Sequence, residues 1–251
     1  MASKRIVLTH DMLAGAVGDR WSDAELQEAI DLLTKADGRF PAGVRTLPPD
    51  LVRAIQRERM LAAMLLTVNE LGYRTLTVQD VLSRAGVSRP TFYEQFEDKE
   101  DCFLAAFDAA VARMRTCLDA ALEGLEGSWR DRLRVAIHAL LRFAVEDRDA
   151  ARTLVVEARA SSPAGLRRRD ELLDGFATCL DAEARKGLDD PPSAIAAAGV
   201  VGGIESVLYA RLQKAETEDL ESLLPSLMYF AVLPYEGREA ASEELGGAAL
   251  A

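Results

Sequence analysis

The amino-acid sequence predicts an all-α protein, with an N-terminal helix-turn-helix unit followed by a longer helical bundle. Aromatic residues make up only 6% of the chain, while Ala, Leu, Arg and Glu dominate and β-branched clusters are sparse, a composition that favours helices. Apolar residues recur at helical spacing along most of the chain, and no strand-like alternation stands out. With 251 residues, 49% of them hydrophobic, there is enough apolar material for two packed domains or one large one. The expected division is an extension with one short helix and a linker (1–48), a helix-turn-helix domain (49–117), a second helical domain (118–235), and a disordered tail rich in Gly, Ala and Glu (236–251).

In the extension, Ser22 and Glu25 form a capping-box pattern, and Leu26, Ala29, Ile30 and Leu33 keep helical spacing until Gly38, which predicts a short amphipathic helix. No partner for its apolar face is legible. Residues 40–50, FPAGVRTLPPD, are rich in turn formers and read as an extended connector. Arg39 and Arg45 can reach a DNA minor groove as an arm does in other helix-turn-helix proteins, or belong to a tether whose cations touch nothing. The first helix of the next domain runs from about Leu51 to Leu71 with Leu61, Met64, Leu65, Val68 and Leu71 on one face, and Gly72 ends it.

Residues 77–100, TVQDVLSRAGVSRPTFYEQFEDKE, read as two short helices around an Ala85-Gly86-Val87 turn, with the motif itself spanning 77–96. Thr77 caps the first helix, Val78, Val81 and Leu82 form its apolar face, and Gly86 supplies the permissive backbone of the turn. Ser88 caps the second. Pro90 falls in that helix's first turn, where its missing N–H costs nothing, so Arg89, Pro90 and Thr91 project from the end that would meet base edges. Phe92 and Phe96 are assigned to the core.

Leu76-Thr77-Val78, Ala85-Gly86-Val87-Ser88, Thr91-Phe92-Tyr93, Phe96 and Asp98-Lys99-Glu100 stand in the order and spacing of the TetR family of transcriptional regulators, which the region from about Arg53 to Asp108 resembles. The resemblance implies that Thr77 and Tyr93 contact phosphates, that Arg89, Pro90 and Thr91 line the groove, and that Lys99 holds backbone phosphate. The family often has His before the motif's Phe, whereas this chain has Gln95, a residue still able to hydrogen-bond a phosphate. The resemblance further implies a homodimer on a double-stranded DNA operator, a small apolar or amphipathic effector, and repression of transcription.

A helix from Asp98 toward Leu122, with Phe103, Phe107, Val111, Met114 and Leu118 as its stripe, is expected to leave the first domain and enter the next. Further helices are expected over 128–146, 149–160, 163–186, 192–214 and 217–233, with a kink at Pro225. The run Ala194 to Ile204 is small and apolar nearly all round. A membrane dimer motif is one reading, but the run is short and Glu205 and Arg211 follow, so close helix contact in a bundle is expected. The resemblance places a four-helix dimer interface here, assigned to Ala198, Gly202, Ser206, Leu220, Leu224 and Leu227. Helical position alone suggests Phe107, Met114, His138, Leu141, Phe176, Cys179 and Tyr209 for a mainly apolar ligand cavity, with His138 or Tyr209 as polar anchor.

The net charge of −11 is unevenly spread: residues 1–100 carry 13 Lys and Arg against 15 Asp and Glu, whereas 101–251 carry 17 against 26. Repulsion of DNA is thus concentrated away from the motif, and binding is expected to rest on a few placed cations in a dimer. Cys102, Cys117 and Cys179 lack zinc or disulfide spacing and read as reduced thiols. Neither histidine sits in a catalytic motif, and there is no nucleophile elbow, phosphate loop or metal-ligand pattern, so no enzyme, cofactor or metal is expected. The N-terminus makes a poor signal peptide, and a cytoplasmic protein without membrane association is expected.

Overall fold

The computed structural model describes residues 6, 8, 13, 21–35, 47–186, 188–214 and 219–246, with 29 and 32–35 described by backbone alone. All regular structure among them is helical. The chain forms two compact units, Met1–Ala106 and Phe107–Ala251. The division falls earlier than residue 117, and the described residues Leu13 and Leu26 of the extension pack with Leu51 and Ile55 in the first unit.

In the first unit, α1 (Asp23–Lys35) begins with the expected capping box: the Ser22 N–H donates to Glu25 Oε2 at 2.9 Å and the Glu25 N–H to Ser22 Oγ at 3.4 Å. Its missing partner is the start of α2 (Pro49–Leu71), because Leu26 and Leu13 are buried together with Leu51 and Ile55. Pro49 opens α2, and Gly72 closes it at φ 74° with its N–H on the Val68 carbonyl at 2.8 Å. Met60, Leu61, Met64, Leu65 and Val68 are buried; Leu71, expected on this face, lies at the helix end and is exposed.

α3 (Val78–Ala85) and α4 (Arg89–Tyr93) form the helix-turn-helix. Thr77 and Asp80 make a reciprocal capping box, and the Thr77 hydroxyl and N–H hold the Asp80 carboxyl below the usual carboxylate range. The Ser88 hydroxyl accepts from the Thr91 N–H at 3.3 Å, as expected for a cap. Gly86 is left-handed at φ 65°, and a Cβ there would lie 2.9 Å from Nη2 of Arg59. Arg59 is itself 6% exposed, and its Nη1 has no hydrogen-bond partner. Phe92 and Phe96 are buried, 5.4 Å apart between ring centroids.

The helix Lys99–Leu122 (α5) contributes Cys102, Phe103 and Ala106 to the first unit and Phe107, Ala110, Met114 and Leu118 to the core of the second. The second unit continues with α6 (Trp129–Glu146), capped by a Ser128–Asp131 box, and then α7 (Arg148–Arg152), a π-helical turn (Thr153–Glu157) and α8 (Ala158–Ala160). α9 (Pro163–Ala184) and α10 (Ile195–Gln213) follow, and a 3₁₀ turn (Glu221–Leu223) leads into α11 (Leu224–Gly246). α10 is long and apolar enough to cross a membrane by length and composition alone. Its central Glu205, buried in ion pairs with Arg159 and Arg169, marks it instead as a bundle helix.

Two expectations for the C-terminal part are corrected. Pro225 stands in the first turn of α11, where it costs no hydrogen bond, and the break comes at Gly237 with φ 79°. The segment expected to be a disordered tail is helical to Gly246, because it has partners on α6. Glu244, 5% exposed, pairs with Arg130 and Arg134; Glu236 accepts from the Trp129 indole at 2.6 Å; and Ala241 is buried in the core.

Gly86→Ala should destabilise the protein by about 1 to 2 kcal/mol, since it imposes a left-handed residue with a Cβ and presses on the buried Arg59 guanidinium. Urea denaturation followed by circular dichroism measures the change.

Candidate nucleic-acid interface and ligand cavity

α4 is only five residues long, so its exposed side chains form a small, defined set. Arg89, Pro90 and Tyr93 are exposed, and Tyr93, at 50%, holds its ring edge-on to Phe92 with centroids 5.3 Å apart. Thr91 is half-buried, its hydroxyl 2.8 Å from that of Ser88. Arg89 is braced from the neighbouring helix, its Nη2 donating to Gln79 Oε1 at 3.1 Å. Gln79 is oriented in turn by Ser83, whose Oγ accepts from Gln79 Nε2 at 3.3 Å and donates to the Gln79 carbonyl at 2.8 Å. Sequence reasoning missed Gln79, although its i,i+4 spacing to Ser83 on the polar face of α3 is readable.

Three expected phosphate contacts have other employment. The Lys99 ammonium donates to the carbonyls of Tyr73 at 3.0 Å and Leu76 at 3.1 Å and lies 4.6 Å from the Tyr73 ring centroid, so two of its three donors hold the loop before α3. Gln95 is half-buried and gives its amide N–H to the Arg53 carbonyl at 3.1 Å, tying α4 back to α2 and leaving its oxygen. Thr77 is exposed, but its hydroxyl and N–H are both committed to Asp80. Arg45 and Arg39 lie outside the described residues.

Within the second unit, α5, α6, the π-helical turn, α9 and α10 surround a cavity of about 540 Å³. Its wall is overwhelmingly apolar, with Leu133, Ala136, Ile137, Leu140 and Phe143 forming the α6 stripe, and Leu154 and Val155 coming from the π-helical turn. Trp129 lines one end, fixed by its bond to Glu236 and by edge contact with Tyr235 at 5.6 Å. Burial, with Asp181 adjacent, pushes the Tyr235 phenol up to about 12.

Of the seven expected lining residues, Met114, Phe176 and Cys179 line this cavity and four do not. Phe107 borders a separate cleft of about 500 Å³ with Arg115 and Arg168. Leu141 is sealed in the core at 1% exposure. His138 is half-buried with Nε2 3.2 Å from Glu221 Oε2, and the Tyr209 ring is covered by Arg159 at 4.3 Å. Helical phase explains the misses on α6, because 133, 136, 137 and 140 face the cavity and 138 and 141 point elsewhere.

The proposed dimer residues also divide. Ala198, Gly202 and Ser206 are exposed on α10, and a Cβ built on Gly202 meets nothing within 4 Å. Leu220, Leu224 and Leu227 are 1%, 8% and 4% exposed and belong to the unit's own core, so they are corrected from interface to packing. The exposed large apolar residues of α11 are Phe230, Leu233 and Leu245, and those of α10 are Ile195 and Val207.

The first unit thus carries a helix-turn-helix, and the second an apolar cavity walled by helices. Residues 62–106 match the profile of the bacterial regulatory proteins of the tetR family. Among curated relatives, the transcriptional activator FasR of Mycolicibacterium smegmatis is 28% identical over 136 residues, 53% of this chain and 62% of that protein. The regulator EthR of the same species is 33% identical over 98 residues, 38% and 42% of the two chains. The chain therefore matches about half the length of these relatives. FadR of Bacillus halodurans has the same fold at 20% identity and a TM-score of 0.62, over 70% of this chain and 97% of that one. FadR of Bacillus subtilis, solved in complex with stearoyl-CoA, gives 20% and 0.60 over 71% and 97%.

Met114→Trp should fill part of the cavity at a cost of about 1 to 3 kcal/mol in stability. Binding of the neutral fluorescent probe N-phenyl-1-naphthylamine should fall at least severalfold while far-ultraviolet circular dichroism stays unchanged.

Proposed function

We propose that the protein is a sequence-specific transcriptional regulator, a cytoplasmic homodimer that binds operator DNA and is released when a small apolar or amphipathic effector occupies the cavity of its second unit. The observation that carries this reading is the apolar cavity of about 540 Å³, within the range of small-molecule sites, in a chain whose other unit presents Arg89 on a helix-turn-helix. Neither feature serves a constitutive DNA binder in combination. The stearoyl-CoA held by FadR of Bacillus subtilis supports a long acyl chain as the type of effector.

The chemistry of DNA recognition is assigned to Arg89, Pro90 and Thr91 at base edges, with Tyr93 on phosphate and Gln79 setting the Arg89 guanidinium. An arginine so placed suits the two acceptors of a guanine edge. The helix carrying it is short, so one half-site binds weakly and a dimer is required. The exposed stripe of Ile195, Ala198, Gly202 and Ser206, with Phe230 and Leu233, is the surface proposed to pair two copies. Half-sites about 34 to 36 Å apart demand a matched spacing of recognition helices, so an effector that alters that spacing weakens binding, and linkage makes the effect reciprocal. Repression is the proposed sense of regulation; FasR is described as an activator, and a reporter gene behind the operator separates the two.

Selection from random DNA should return a two-fold symmetric site, and failure to enrich any sequence counts against the reading. On that site Arg89→Ala should lose about 1 to 3 kcal/mol of discrimination at one base pair, whereas Tyr93→Phe should weaken all sequences alike; electrophoretic mobility titrations at fixed salt distinguish the two. Gly202 is exposed and a Cβ there meets nothing within 4 Å, so Gly202→Arg should leave the fold intact and move the protein from dimer to monomer in sedimentation, with operator affinity lost.

A further inference from the structure

The polar groups in the cavity wall are unevenly matched. Glu205 of α10 is 6% exposed, and both its oxygens are taken by Arg159 of α8: Nε lies 3.0 Å from Oε1 and Nη2 reaches Oε2. A two-point arginine–carboxylate pair is complete in charge and geometry. Arg169 of α9 nevertheless joins it, with Nε 3.1 Å and Nη2 2.9 Å from Oε1. Its Nη1 donates to Asp170 at 2.8 Å, but that carboxylate is 56% exposed and sits largely in water. The buried Glu205 carboxylate therefore meets two guanidiniums, of which Arg159 is exposed and Arg169 half-buried.

Arg169 is the surplus cation, and it borders the cavity. A guanidinium carries five N–H donors; those of Arg169 make two hydrogen bonds, from Nε to Glu205 and from Nη1 to Asp170, with Nη2 at ion-pair distance from Glu205, so donors on both terminal nitrogens remain for a further acceptor. The side chain is only 14% exposed, so water satisfies the remaining donors poorly, and the surrounding wall of Leu172, Ile204 and Leu208 offers no acceptor.

The cavity also has a direction. Arg169, Leu172, Phe176, Cys179 and Glu183 all line it and recur at three- and four-residue steps, so they form one stripe along α9. At 1.5 Å per residue the two charged ends of that stripe lie about 21 Å apart, with apolar side chains between.

We propose that Arg169 is the polar anchor of this cavity, and that its ligand is an elongated apolar chain lying along α9 with an acceptor oxygen, a carboxylate or an ester carbonyl, at the Arg169 end. This rests on the cavity being the effector site, as proposed above. A bare hydrocarbon leaves the surplus donors unmet; a chain ending in an acceptor satisfies them. Sequence position gave no hint, because Arg169 sits in the run Arg167-Arg168-Arg169 and reads as a solvated face.

The test measures displacement of N-phenyl-1-naphthylamine, a neutral apolar probe, by tetradecanoic acid, methyl tetradecanoate and 1-tetradecene, using the full chain. Wild type should bind the acid and the ester about tenfold or more tighter than the alkene, as expected for a hydrogen bond from a charged donor. In Arg169→Leu, Glu205 keeps its Arg159 pair, so the fold should persist, probe binding should remain, and the three affinities should converge within twofold. Arg169→Gln, with a neutral donor, should keep the ester preference and lose that for the acid. Equal binding of all three by wild type overturns the proposal, as does an acid preference that survives Arg169→Leu. If neither the probe nor any of the three binds wild type, the cavity reading falls and the proposal with it.

Discussion

Glu205 organises the second unit, because a carboxylate buried in the middle of an apolar helix has to be met by cations from whatever packs around it. Arg159 arrives from α8 and Arg169 from α9, so three helices converge on one residue of α10. That convergence holds α9 alongside α10 while their side chains leave space between them and α6, and the cavity is that space. Removing Glu205 alone would leave the half-buried Arg169 guanidinium beside that of Arg159 with no carboxylate between them.

A similar economy shapes the first unit. Gly86 is the position at which α3 and α4 diverge, and its left-handed backbone lies against Arg59, an almost fully buried guanidinium with one unpaired nitrogen. Around this turn, residues that resemble phosphate ligands act first as fasteners: Lys99 ties down the loop before α3, Gln95 ties α4 to α2, and Thr77 closes the α3 cap. The side chains left exposed on α4 are Arg89, Pro90 and Tyr93, with Gln79 behind Arg89, and they belong to the set proposed to read DNA. A small rigid set suits a chain with a net charge of −11, since specificity then depends on placement and not on a broad basic field.

The segment after Tyr235 shows how weakly composition constrains a terminus. Its Gly, Ala and Glu content suggests disorder, yet Glu236, Glu243 and Glu244 find Arg130 and the Trp129 indole, and Arg134 also meets Glu244. The same bonds set Trp129 as one end of the cavity. A tail by composition is thus a structural wall by position.

Local rules made the helices, their caps and the turn legible in the sequence, because these depend on neighbours three or four residues apart: the caps at Ser22, Thr77 and Ser88 and the Gly86 turn all appear where side-chain chemistry and backbone freedom require them. The motif residues from Leu76 to Glu100 likewise carried the resemblance to the TetR family, whose profile matches residues 62–106. What remained hidden needed the rotation of one helix against another. A shift of one residue turns a helix face by about 100°, enough to move His138 and Leu141 away from the cavity, and of the residues expected at the interface on the last helix Leu224 and Leu227 turn into the core while Phe230 stays exposed. Pairings such as Arg169 with Glu205 or Trp129 with Glu236 join residues far apart in the chain, and only packing in three dimensions selects them from the many charges available.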